Sequence, residues 1–265
     1  MAITRETNDY VIPRGVVYFD PFDSSGDTTG ERELGNAPSF TIEMTSEKAD
    51  HYNSQAGLRE KDQSVTVQID RTATLTVDNI SLDNLSLFLA GSTSTITQSA
   101  ASGETDTITV QQGRHYQIGV SALRPTGVRA ITLTSVVGPA PGSIAYDADD
   151  YEVDLDLGRI RIKTTAEGGS IPDDTELTIT YATTAVTWSR ANTGSTAEVD
   201  GAMRVISANA SGTNRDYYMP SVRLTPSGNL PVITDATEYV SMEFSVEVLK
   251  PANAEAIYLD GRAVA

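Results

Sequence analysis

The stretch Ser64-Val-Thr-Val-Gln-Ile-Asp-Arg-Thr-Ala-Thr-Leu-Thr-Val-Asp78 alternates apolar and polar residues over its whole length. Its odd positions read Val65, Val67, Ile69, Arg71, Ala73, Leu75 and Val77, and its even positions read Ser64, Thr66, Gln68, Asp70, Thr72, Thr74, Thr76 and Asp78. A period of two marks a strand with one buried and one solvated face, and only Arg71 interrupts the apolar side. Because strands usually run ~5–6 residues, this is either one long curved strand or two joined by a bulge near Asp70-Arg71. Two further stretches repeat the pattern. Ser39–Thr45 sets Phe40, Ile42 and Met44 against Thr41, Glu43 and Thr45, and Tyr239–Leu249 sets Val240, Met242, Phe244, Val246 and Val248 against Ser241, Glu243, Ser245 and Glu247. The three are expected to join one sheet.

One helix of about three turns is expected after the long strand. Asn79 or Ser81 can cap it, Leu82, Leu85 and Leu89 recur at helical spacing beside Phe88, and Gly91 supplies a stop. Its apolar stripe is expected on the buried face of the sheet, giving two layers.

From Thr126 to Ala185 the texture changes, with ten acidic residues against four basic ones. This segment carries strands of its own at Ala130–Val137, a hairpin of Tyr151–Leu155 and Arg159–Lys163 around Leu157-Gly158, and Glu176–Ala182. Turn-like sequence at both ends makes it a small β domain inserted into a host, the alternative being one continuous β fold. The expected division is 1–125 as the first part of the host β domain, 126–185 as the insert, and 186–265 as the part completing the host.

The 265 residues hold 36 acidic and 19 basic side chains, a formal charge of −17. That balance opposes an ordinary nucleic-acid binder, which needs a basic face to release counterions from phosphate. The chain has no cysteine, which excludes disulfide scaffolds, thiolate-held metals and thiol catalysis. No apolar run approaches the ~20 residues of a membrane span, and the first residues lack a basic region followed by an apolar stretch, so the chain is expected to be made and folded in the cytosol.

No catalytic site is expected. His51 and His115 are the only histidines, no nucleophile elbow accompanies them, and both read as surface or half-buried side chains. Neither glycine-rich phosphate loop is present, so no cofactor is expected. The run Asp147-Ala-Asp149-Asp150-Tyr-Glu152 lacks the spacing and central glycine of a calcium loop and reads as a solvated acidic loop rather than a metal site.

The segment Gly30-Glu-Arg-Glu-Leu-Gly-Asn36-Ala-Pro-Ser-Phe40-Thr-Ile-Glu-Met44, then Gly57-Leu-Arg-Glu-Lys-Asp62, the long strand, and Asp78-Asn-Ile-Ser-Leu-Asp-Asn-Leu85-Ser-Leu-Phe-Leu-Ala-Gly91 resembles the tail tube (major tail) proteins of long-tailed bacteriophages. The likeness covers roughly the first 120 residues and, more weakly, the last 80. The segment Asp150–Ile162 followed by Ile171–Tyr181 is similar to small β modules carried by phage tail proteins. The resemblance implies a mainly β, two-sheet fold with one helix, plus a sandwich-like insert. It further implies a virion protein, assembled in the host cytoplasm, whose subunits close into rings of six. Rings stack around a tape-measure protein, with tail terminator and distal tail or baseplate proteins as further partners, and DNA passes through without specific binding.

On that reading the acidic strand faces acquire a use, because a conduit for DNA must not bind phosphate. Glu43, Gln68, Asp70, Glu243 and Glu247 are expected to line the lumen. The polar connection from Glu47 to Asp62, with Lys48, His51, Tyr52, Leu58, Arg59 and Lys61, is expected to contact a neighbouring ring, and the insert to point outward. The competing classes are a β-sandwich binding or adhesion module, a capsid decoration protein, and a carbohydrate-active enzyme with two acids.

Overall fold

The computed structural model describes residues 8–55, 57–139, 142–195 and 197–262. The chain is mainly β and divides into two compact units. One comprises the residues up to Ser94 together with those from Ala191 onward, and the other is Thr95–Arg190.

The first unit opens with β1 (Gly15–Pro21), β2 (Arg32–Glu33), β3 (Ser39–Asn53) and β4 (Glu60–Val77), followed by the helix α1 (Leu82–Phe88). The chain leaves it along β5 (Ser92–Gln98). In the second unit come β6 (Ala101–Val110), β7 (His115–Gln117), β8 (Ile131–Val137), β9 (Ala145–Tyr146), β10 (Tyr151–Asp154), β11 (Arg159–Ile162) and β12 (Thr175–Thr183). β13 (Val186–Asn192) returns to the first unit, which closes with β14 (Val199–Ser207), β15 (Arg215–Ser227), β16 (Met242–Val248) and β17 (Tyr258–Gly261). β5 and β13 pair with each other.

The first unit is built on one sheet in the order β2-β1-β14-β15-β16-β4-β3, with β17 paired to β15. The three stretches read as one sheet are the neighbours β16, β4 and β3. Alternation decides what each buries. In β16, Met242, Phe244, Val246 and Val248 are buried while Glu243, Ser245 and Glu247 are exposed. On β4, Ala73, Leu75 and Val77 join that core, with Phe19 of β1 and Leu224 of β15. The strand expected from Tyr239 begins only at Met242, since Tyr239 stands 98% exposed in the preceding loop.

The helix forms where expected but spans about two turns. Ser81 caps it, its side chain accepting from the Asn84 N–H at 3.2 Å. Phe88 meets Phe244 edge-on, ring centres 5.9 Å apart. Asn84 is buried inside the helix because all its polar atoms are used: Nδ2 donates to the carbonyls of Leu34 and Asn79, and Oδ1 accepts from Arg32. The left-handed residue after the helix is Ala90 rather than the expected Gly91, and glycine at 91 has a different role. A Cβ there would collide with the Asn192 carbonyl, so glycine permits the close approach of the outgoing and returning chain.

The second unit packs two antiparallel sheets, β6-β12-β8-β9 and β10-β11-β7, over a core that includes Val110, Ile118, Ile160, Ile162, Leu177 and Ile179. This is sandwich architecture. The expected hairpin and the strands at 130–137 and 176–182 lie within it. Its start differs from the expected 126, however: β6 pairs with β12 and β7 with β11, so the 95–125 segment belongs to this unit. On the outer face of β11, Arg161 bridges Glu152 at 3.1 Å and Glu167 at 2.7 Å. Glu167 also accepts from the Thr164 N–H and hydroxyl. The backbone bond and then the guanidinium hold its carboxyl down at about 2.

Candidate assembly surface

Beyond Thr72 and Glu43 the β3–β4 pair leaves the core and continues as a two-stranded arm. Every described residue from Thr41 to Asp70 is exposed. This corrects the expectation that all the odd positions of the long strand are buried: Val65, Val67 and Ile69 are 50%, 61% and 50% exposed. Burial stops at Ala73 because no other element among the described residues packs over the arm, and Arg71, opposite Met44, stands where the core ends.

Register also explains why a single apolar face is not kept. Glu47 pairs with Gln68 but Lys48 with Thr66, and His51 pairs with Gln63 but Tyr52 with Lys61. Val67 and Asp62 are therefore the extra residues of two bulges, and neither falls at the expected Asp70-Arg71. A bulge advances one strand by a residue and reverses its phase. Below Val67 the arm has an apolar face carrying Ile42, Met44 and Ile69 and a polar face carrying Glu43, Thr45 and Asp70. Above it Val65 has moved across to share a face with Ala49.

The five residues expected to line a lumen do share one face, since directly paired residues on neighbouring strands point to the same side. Glu43, Thr72, Glu247, Arg223 and Asp200 form one row across β3, β4, β16, β15 and β14. Ser39, Thr76, Glu243 and Ser227 form another. Asp70 and Gln68 extend this face onto the arm, joined by a 2.8 Å hydrogen bond. Arg223 is the cation in these rows. It is bridged to Asp200 at 2.9 Å and Glu198 at 3.1 Å, which raise its pKa, Asp200 foremost.

The segment read as a polar connection is instead strand to Asn53 and again from Glu60, and its polarity concealed the pairing. Lys48, His51 and Tyr52 lie on β3, Lys61 on β4, and Leu58 and Arg59 in the turn. Ala56 lies outside the described residues. Cross-strand polar contacts hold this tip. Asp50 binds Lys61 at 2.7 Å and the Ser64 hydroxyl at 2.6 Å, bonds that lower the Asp50 pKa and raise that of Lys61. His51 Nδ1 is 2.5 Å from Asp62, and the Arg59 guanidinium lies 5.5 Å from the Tyr52 ring centre.

The profile of one protein family matches residues 10–256, running through both units. The chain belongs to that family. It carries the description "protein of unknown function UCP028589". No curated protein matches the sequence.

In this member of the family the other sequence candidates have structural work. His115 pairs across strands with Arg161 in the second unit, whereas His51 is on the arm of the first. Asp150 accepts from the Ser170 and Asp147 N–H groups, and Asp147 from Asp149, so the acidic run is a turn fixed by its own carboxylates. Among the described residues no three or more His, Asp or Glu side chains gather as a metal-holding group. Sequence reading missed a groove of about 980 Å³ in the first unit. It lies between the start of β3 and the ends of β1, β14 and β15, so only long-range topology creates it.

Proposed function

We propose that this chain is a structural virion protein that assembles into stacked rings, six subunits each, forming the tube of a long phage tail. The arm carries the reading. A lone two-stranded ribbon is marginal in water, and this one keeps exposed apolar residues along its length. The ten residues Met44–Asn53 span roughly 33 Å and two strands roughly 10 Å, so covering the face opposite the lumen buries about 330 Å², a large part of the ~800 Å² that one partner contributes to a standard interface. A neighbouring subunit is the natural cover, because it is present in every copy of the assembly.

The acidic face supports the conduit. The carboxylates of Glu43, Asp70, Glu243 and Glu247 repel phosphate, and with the Gln68 amide and the threonine hydroxyls between them they keep a water layer, so DNA passes without being held. The rings surround a tape-measure protein and are bounded by terminator and distal tail proteins. A second reading, a binding or adhesion module, draws on the second unit, whose sheets close over a core of their own.

Negative-stain electron microscopy with size-exclusion chromatography, at low and high concentration, tests the proposal. Hollow rings or tubes are expected. A protein that stays monomeric at every concentration, and when offered preformed tail tips, would overturn the proposal in favour of the binding module.

A further inference from the structure

We propose that the groove of the first unit receives the loop between β15 and β16 of a second copy of this chain. The inference rests on the self-assembly reading and names the two surfaces that make the contact. The groove walls are mixed, with Val17, Phe40, Ile42 and Val205 interspersed with polar side chains such as Asn209 and Thr213. One wall belongs to β3, the terminal strand of the sheet, whose outer backbone groups are open to an added segment.

Charge selects the occupant. Among the described residues no acidic side chain lines the groove, while Arg14 and Arg215 do, an inversion in a chain with 36 acids and 19 bases. Arg215 is bridged to Asp9 at 3.1 Å, and Arg14 has no ion-pair partner among the described residues. The loop Asn229-Leu-Pro-Val-Ile-Thr-Asp-Ala-Thr-Glu-Tyr-Val-Ser241 has the opposite character, its only charges being Asp235 and Glu238. It also holds Val232, Ile233 and Tyr239 at 88%, 94% and 98% exposure. Such a concentration of large apolar side chains in water marks a contact surface.

Loop and groove are different surfaces of one molecule, so their contact is head-to-tail and closes only if the rotation returns on itself. Ser39 in one groove wall is level, through Thr76, with Glu243, two residues beyond the loop, whereas Arg215 and Tyr217 in the opposite wall stand at the other end of β15 from Ser227, where the loop follows.

The test uses the full chain with either surface disabled. Ile233→Asp with Tyr239→Asp removes the donor, and Val11→Asp with Arg14→Glu removes the acceptor; circular dichroism melts check that both variants fold. Each alone is expected to remain at the 28.3 kDa of the single chain. Mixed one to one, they should form a species of about twice that mass and nothing larger, because the remaining ends are both dead. As an independent measurement, the absence of native cysteine makes a Ser39→Cys, Ile233→Cys chain informative. On oxidation it should give a ladder of disulfide-linked oligomers. Unimpaired assembly of both variants, or no heterodimer and no ladder, overturns the inference. Hollow tubes from the two variants would do so while leaving the conduit reading intact. Conversely, heterodimers from a protein whose wild type forms only solid filaments would retain the loop-in-groove contact and remove the conduit.

Discussion

Replacing Met44 and Ile69 by lysine is expected to separate folding from assembly. The two side chains share the apolar face below the first bulge and are 64% and 50% exposed in the single chain. Exposed substitutions away from special features usually change stability by no more than ~0.5 kcal/mol each. The melting temperature should therefore fall by no more than about 4 °C. Burying a large aliphatic side chain contributes about 1.5–3 kcal/mol, and half or more of each is still available to a neighbour, so one contact should lose at least about 1.7 kcal/mol. At ~1.4 kcal/mol per tenfold, the concentration needed for assembly should rise by at least about 15-fold. Light scattering against concentration, paired with thermal melts, measures both quantities. An unchanged assembly threshold would refute the placing of this face in an interface, and a melting point lowered by more than about 10 °C would refute the claim that the arm lies outside the folding core.

Other surfaces give shorter tests. Changing Glu43, Asp70, Glu243 and Glu247 together to lysine should make assembled particles retain DNA at low salt and release it at high salt, as followed by co-sedimentation; particles that ignore DNA would displace these residues from the lumen. Phe244→Ala, at a fully buried site in the core of the first unit, should cost about 3–5 kcal/mol and lower one calorimetric transition while that of the second unit stays in place. Because the carboxyl of Glu167 is held at about 2, below its ordinary 4.5, its contribution is present above pH 4.5 and is lost as pH falls toward 2. Glu167→Gln should thus weaken the second unit at pH 7, with the deficit in melting temperature closing through that window.

The regular parts of the chain were legible because local chemistry and final environment agree. The alternation of Met242–Val248 matches its burial residue for residue, and the cap at Ser81 and the hairpin around Leu157-Gly158 lie where their sequence places them. What misled was a pattern continued past the core. The residues from Val65 to Ile69 look like those from Ala73 to Val77, yet periodicity reports which face a side chain shares and says nothing about whether anything covers that face. Arg71 was the visible mark of the change. The bulges at Val67 and Asp62 have no glycine or proline to announce them, and the start of the second unit depends on β6 finding β12 across some 70 residues of chain. All five polar-face residues fell together because each lies before the first bulge, where simple alternation still holds.

The neck of the second unit has a genetic consequence. The outgoing and returning strands lie side by side, with Asn192 Nδ2 reaching the Ser94 hydroxyl at 3.4 Å and the backbones at Gly91 and Asn192 nearly touching. A body whose two ends meet can be exchanged as a cassette without altering the path its host must trace. Selection on the host sheet and selection on the cassette can then proceed separately, and a payload with adjacent termini spliced at this neck inherits a place in every copy of whatever the host builds.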